Sequence, residues 1–319
     1  MKKMLAMILA LATVFALVSC GGSADGGKSE LVFTTGGETG TYYAFGGVIA
    51  QSVTANTDVS VTAVSSDGSK ANVLLLAAGD AQLGFCQSDV MAYAYNGTST
   101  FADVGAVKDF STVANLYMEQ VQIVTCNPDI KTVEDLRGKK VSIGAAGSGV
   151  YFNAIDILGA YGMTESDIVA NFQNFADSAD SLTDGTIDAA FIVAGAPTTA
   201  ITTLATGKDV YLVSLDDAHI DALMASSPYY TKAVIPASAY GLDSDTTTVA
   251  VGAVVIARDD VSEDAVYAFV SDLFANKDSL AHGKAAELDL NFAANVTAVP
   301  YHAGAAKYFA EQGITVPTK

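Results

Sequence analysis

The 319-residue chain has no tryptophan, three histidines, three cysteines and two arginines, Arg137 and Arg258. Each scarcity closes off a kind of chemistry. His219, His282 and His302 are scattered and no cysteine sits near them, so no cluster with zinc-ligand spacing exists. Positive charge is short: 16 lysines and arginines face 35 aspartates and glutamates, a formal net charge of −19. So acidic a surface repels nucleic acid and anionic membrane. After Val18 no apolar run approaches the ~18 residues of a membrane span. Ser148 lies in a glycine-rich turn but lacks the G-x-S-x-G elbow, with Ala146 before it and Val150 after. No catalytic residue, cofactor or metal is expected.

What is present begins at the N-terminus. Lys2 and Lys3 precede an apolar stretch from Met4 to Val18 that ends Leu17-Val18-Ser19-Cys20. That ending resembles a lipobox. Residues 1–20 therefore read as a lipoprotein signal peptide, with Cys20 acylated and the chain held outside the cytoplasm on a cell membrane. An ordinary signal peptide or a membrane anchor is the alternative. Residues 21–29 are Gly, Ser, Ala, Asp, Lys and so read as a flexible tether. Gly22 to Ser29 also fits the phosphate-loop pattern G-x4-G-K-[ST], but no strand precedes it, and the match is a coincidence. Cys86 and Cys126 remain, both in apolar runs. They read as buried free thiols, with an exported disulfide as the alternative.

From residue 30 onward β-rich runs alternate with helical periods. Strands are expected at 30–35, 59–64, 82–86, 121–126, 140–144, 188–193, 210–214 and 248–257. Helices are expected at Tyr42–Thr54, Ser69–Ala78, Ser148–Tyr161 and Glu263–Phe274. This alternation argues for an α/β fold with mostly parallel sheet. Thr112–Cys126 and Thr246–Arg258 are unusually long extended candidates. Crossing between two lobes, they would leave 29–118 plus 250–319 as lobe 1 and 119–249 as lobe 2.

Four loops share one design: each follows an apolar strand, leads into a helix and is rich in Gly, Ser or Thr. They are Thr34 to Gly47, Gln87-Ser88-Asp89, Ala145 to Val150 and Ala194 to Thr199. The carboxyl edge of an open α/β sheet is where ligands bind, and helix N-termini there favour anions. Neither arginine lies in these loops, so an anion must be held by main-chain amides, hydroxyls and helix ends. The candidate contacts are Gly37, Thr39, Gly40, Thr41, Tyr42 and Tyr43 from the first loop. Ser69, Gln87, Ser88 and Asp89 add to these from the same lobe, and Ser148, Gly149, Val150, Ala194, Gly195 and Ala196 from the other. Asp89 either caps the helix that follows or pairs with a ligand ammonium. The expected partner is a small anionic or zwitterionic metabolite.

Several segments resemble the TAXI family of solute-binding proteins, the extracytoplasmic receptors of one branch of TRAP transporters. They include Thr35-Gly-Gly-Glu-Thr-Gly-Thr-Tyr-Tyr43, Gln87-Ser-Asp-Val-Met-Ala-Tyr-Ala-Tyr95, Gly147-Ser-Gly149 with Asn153, Val193-Ala-Gly-Ala-Pro197 and Pro300-Tyr-His-Ala-Gly304. The resemblance runs from about residue 31 to 315 with order kept. It implies a type II periplasmic-binding-protein fold, two α/β lobes joined by crossing strands around a ligand cleft. It further implies amino acids such as glutamate or glutamine, or small dicarboxylates, as ligands, and TRAP membrane subunits as partners. A receptor serving an ATP-driven transporter or a sensor is the alternative. Lys70 stands where a smaller or apolar residue is expected.

Overall fold

The structure, a computed structural model, describes residues 28–319. The signal-peptide and Cys20 assignments, and nearly all of the tether, lie outside the described residues. Three βα units come first: β1 (Ser29–Thr34) and α1 (Thr41–Asn56), β2 (Val59–Val64) and α2 (Ser69–Ala78), β3 (Leu83–Gln87) and α3 (Ser88–Asn96). Strand β3 is buried along its whole length and reads as a continuous apolar run, as a strand covered on both faces must. Gly79 and Gly97 end α2 and α3 in left-handed geometry, which glycine adopts without strain.

Strand β4 (Phe110–Thr125) then leaves this lobe and enters a second. There follow β5 (Lys140–Ser142), α4 (Val150–Ala160), β6 (Val169–Asn171), α5 (Phe175–Asp184) and β7 (Ala189–Ala194). Next come α6 (Thr199–Ala205), β8 (Tyr211–Leu212), α7 (Asp217–Ser226) and β9 (Thr231–Ile235). Strand β10 (Thr246–Arg258) returns to the first lobe, where α8 (Glu263–Ala275), α9 (Leu290–Ala293) and α10 (Ala303–Glu311) complete it.

The strand order β2-β1-β3-β10-β4-β7-β5-β6 puts the two long strands at the centre. The C-terminal half of β10 pairs with β3 and its N-terminal half with β9; β4 pairs with β10 and then with β7. Register slips between β10 and β4 at Ala253/Val254 and Val255/Ile256 mark where the shared ladder bends. The expectation of a mostly parallel sheet holds only within each outer half, β2-β1-β3 and β7-β5-β6. Every pair that includes β4 or β10 is antiparallel, because both strands run through the hinge against their neighbours.

Separate cores sit on either side of the crossing. One joins Phe33, Phe45, Phe85 and Phe110 with Phe269 and Phe309 from the C-terminal helices. The other side is built on Ile123, Ile157, Phe191 and Val249, with a smaller cluster around Ile192 and Ile201. Cys86 and Cys126 are both free thiols; Cys86 is fully buried and Cys126 half-buried. Lys70 places its ammonium 5.7 Å from the Phe101 ring centroid, a cation–π contact on the lobe's own surface.

Candidate functional site

Helices α1, α2 and α4 begin at Gly40, Gly68 and Gly149, and none of these caps carries a side-chain hydrogen bond to its helix. An α-helix leaves its first amides without intrahelical partners and carries about half a positive charge at that end. Serine or asparagine would ordinarily satisfy those amides. Here glycine adds no side-chain acceptor, and among the described residues the first two amides of each helix have no partner. Of the third amides, Ala71 donates to the Gly147 carbonyl of the opposite lobe at 3.0 Å and Phe152 to the Gly149 carbonyl at 3.1 Å. Gly68 has φ +102, a backbone that needs glycine. Gly149 needs to be glycine for space: a Cβ there would fall 1.5 Å from Gln87 Oε1.

All three caps line one cavity of about 60 Å³ between the lobes. At roughly 10–15 Å³ per water-sized occupant, that is room for a compact molecule. Phe175, at the start of α5, closes one side against Gly40, 3.4 Å from where a Cβ would stand.

Direct contacts hold the lobes together around this space. Thr41 Oγ1 donates to the Gly195 carbonyl at 2.9 Å, and the Ala200 amide to the Thr39 carbonyl at 3.1 Å. Beside the cavity runs a buried polar seam. Gln87 Nε2 donates to Asn153 Oδ1 at 2.7 Å; Asn153 Nδ2 donates to Asp89 Oδ2 at 2.9 Å and to the Tyr230 hydroxyl at 2.7 Å. The Tyr230 hydroxyl donates onward to Asp156 Oδ2 at 2.9 Å. Burial raises the Asp89 carboxyl to about 6, against hydrogen bonds from the Val90 amide and Asn153 that pull it down.

A second buried acid, Glu119 on β4, lines the cavity itself. Its Oε2 accepts a 2.6 Å hydrogen bond from the Tyr42 hydroxyl, and the Tyr42 ring stacks on Phe85 with centroids 4.5 Å apart. Burial holds Glu119 well above the usual carboxylate range; Tyr42's hydrogen bond lowers it, nearby Asp89 raises it, and Lys284 lowers it.

Ten of the residues expected from the sequence stand in the cavity wall: Gly37, Gly40, Thr41, Tyr42, Ser69, Gln87, Ser148, Gly149, Val150 and Ala194. Six do not, and each has another engagement or position. The Thr39 carbonyl accepts from the Ala200 amide and the Gly195 carbonyl from the Thr41 hydroxyl, both across the lobe boundary, and the Ala196 amide donates to Gln120 Oε1 at 3.0 Å. Tyr43 is half-buried on α1 away from the space. The Ser88 hydroxyl accepts from the Gly252 amide at 3.0 Å and so ties α3 to the crossing strand. Asp89 sits in the first turn of α3, while Gln87 takes the cap position itself. The Ser148 hydroxyl, though in the wall, donates to the Ala145 carbonyl at 2.7 Å. The residues not foreseen are Glu119, Asp67, Asn174 and Phe175, together with Gly36, Ser66, Gly68, Ala145 and Val193. Three of these were legible from their neighbours: Gly68 heads the helix expected at Ser69, and Gly36 and Ala145 lie in two of the four loops.

Two α/β lobes, two crossing strands and a cavity at the carboxyl edges of both half-sheets define the two-lobed periplasmic-binding-protein fold. Solved structures similar to this chain carry the same architecture. The alkanesulfonate-binding protein SsuA of Xanthomonas axonopodis pv. citri, bound to MOPS, aligns at TM-score 0.50 and 14% identity, over 88% of this chain and 83% of its own. The ligand-binding component of an ABC-type import system of Staphylococcus aureus aligns at TM-score 0.53 and 10% identity, over 91% and 94%. A protein of Bordetella bronchiseptica aligns at TM-score 0.53 and 16% identity, over 83% and 77%. Residues 33–313 match the model of the NMT1-like family, and the chain belongs to that family.

Proposed function

We propose that this chain is the solute receptor of a transporter, extracytoplasmic and lipid-anchored through Cys20, that captures a small carboxylate-bearing metabolite by lobe closure. Three glycine-capped helix N-termini, contributed by both lobes and converging on one cavity, carry this reading. Anions are stabilised at such ends, by about 0.3–1 kcal/mol each at exposed sites and up to ~2 when partly buried. The moving bodies are 29–118 plus 250–319 and 119–249, hinged on β4 and β10. A ligand that touches both lobes stabilises the closed state by its differential affinity for it. The cavity binds and releases; it performs no reaction.

Within this class we assign the chain to the TAXI receptors of TRAP-type secondary transporters, with amino acids or dicarboxylates of glutamate size as ligands. The segments resembling that family extend along the chain and supply the wall residues Gly37, Tyr42, Gln87 and Gly149. A second reading has a specific observation behind it: two of the similar structures are described as a sulfonate-binding protein and an ABC-type import component. A sulfonate would suit bare helix ends as well.

A thermal-shift screen over amino acids, dicarboxylates and alkanesulfonates tests both. A ligand at a thousandfold excess over Kd adds about 4 kcal/mol of stability. A shift with a carboxylic acid supports the first reading and a shift with sulfonates the second. A flat panel overturns the receptor reading.

A further inference from the structure

The cavity has two chemically opposite walls. The bare ends of α1, α2 and α4 favour negative charge. Glu119 brings a carboxyl group, only 2% exposed, into the same space from the crossing strand. Resting on the receptor reading above, we propose that Glu119 is the specificity-determining residue of this site and selects zwitterions: the ligand's carboxylate lies at the helix ends and its ammonium faces Glu119.

The argument is one of unmatched charge. Tyr42 on α1 donates to Glu119 Oε2, and no hydrogen bond to Oε1 is made among the described residues. The groups bearing on this carboxyl from the elements around it are Tyr42 on α1, Asp89 on α3, and Lys284 in the 283–287 turn. Tyr117 on the same strand and Cys86 on β3 in turn feel its charge. Of these only Lys284 is cationic, and it is already engaged: its ammonium pairs with Glu287 Oε1 at 2.6 Å and lies 5.5 Å from the Tyr117 ring centroid. A buried carboxylate without a committed cation is costly, and burial accordingly raises the proton affinity of Glu119. An ammonium supplies the missing charge. A second ligand carboxylate in its place would meet Glu119 with no cation to separate them.

The opposite arrangement is physically definable, and this makes the inference testable. A protonated Glu119 can donate to a ligand carboxylate, which would favour dicarboxylates. The two cases differ in the sign of their pH dependence. Ammonium binding requires ionised Glu119, so affinity rises as pH is raised. Carboxylate binding requires the protonated acid, so affinity falls.

The probes are matched pairs that differ in one group, L-glutamate against 2-oxoglutarate and L-aspartate against oxaloacetate, titrated calorimetrically between pH 5 and 8. The expected result is an amino acid bound at least about a hundredfold more tightly than its keto acid, with affinity climbing with pH. Glu119→Gln, which keeps the shape, should cut that preference to a few-fold by weakening the amino acid alone. The wild-type pH profile stands without the variant. A keto acid bound as tightly as its amino acid, affinity falling with pH, or a preference unchanged in Glu119→Gln overturns the assignment while leaving the receptor reading intact. No binding of any of these probes, of other amino acids or of other dicarboxylates in the wild type overturns the receptor reading for carboxylic acids, and this inference with it.

Discussion

The hydroxyl of Thr41 donates to the carbonyl oxygen of Gly195 across 154 residues of sequence, at 2.9 Å and out of contact with water. One partner heads α1 in the first lobe and the other directly follows β7 in the second, so under the proposed lobe closure the bond belongs to the closed state. Thr41→Val keeps the shape and removes the donor. Gly195 retains the Thr198 hydroxyl at 3.1 Å, so no buried carbonyl is orphaned. A net loss of about 1 kcal/mol per hydrogen bond should weaken ligand affinity about fivefold with little change in the unliganded melting temperature. Calorimetry and thermal melts on the same variant check both halves.

Gly149→Ala acts by bulk. Its Cβ would overlap Gln87 Oε1 at 1.5 Å and crowd Val90 Cγ2 at 2.9 Å, so Gln87 must leave its bond to Asn153 or the lobes must stay apart. We expect affinity to fall at least about tenfold, ~1.4 kcal/mol, with circular dichroism unchanged. An affinity equal to wild type would show that closure does not bring Gly149 against Gln87.

Gly304→Ala serves as the contrast. Its Cβ would lie 2.2 Å from the Glu263 carbonyl oxygen, where α10 packs against α8 far from the cavity. Overpacking of this kind costs about 1–3 kcal/mol, so the melting temperature should drop by several degrees while affinity at low temperature is kept.

Asp89 gives the fold a pH signature. Its carboxyl is raised to about 6 in the folded chain from an ordinary 3.8, chiefly by burial. A group with raised affinity for protons favours the folded state as pH falls. The ionised form is a penalty above pH 6, relieved progressively down to about pH 4. The penalty is on the order of 3 kcal/mol for a two-unit shift. Denaturation midpoints measured from pH 4 to 7 should therefore carry a component in wild type that is missing in Asp89→Asn. Identical slopes in the two proteins would mean Asp89 is not held away from water.

The two long strands were the most legible part of the fold. Thr112–Cys126 and Thr246–Arg258 read as extended because β-branched and apolar residues run past the length of an ordinary strand, and β4 and β10 occupy Phe110–Thr125 and Thr246–Arg258. The strand expected at 140–144 stops at Ser142, since Gly144 has φ +88 and turns the chain under Val150. Strands β6 and β9 were not legible. Val169–Asn171 is three residues at a sheet edge, and Thr231–Ile235 is short and bracketed by Pro228 and Pro236. The site divides along the same line. Its glycine turns announce themselves locally, whereas Glu119 sits mid-strand and Phe175 follows the unforeseen β6, so only tertiary structure brings them to the cavity. Ser88 and Asp89 show the converse: residues of the right kind in the right loop, spent on Gly252 and Asn153.

The most direct test of the account is a crystal structure grown with the acid that gives the largest thermal shift. We expect its carboxylate within hydrogen-bonding distance of first-turn amides from both lobes, at Thr41 or Tyr42, at Ser69 or Lys70 and at Val150 or Tyr151. A ligand seated on one lobe alone, or held by side-chain cations elsewhere on the surface with those amides left to water, would contradict it.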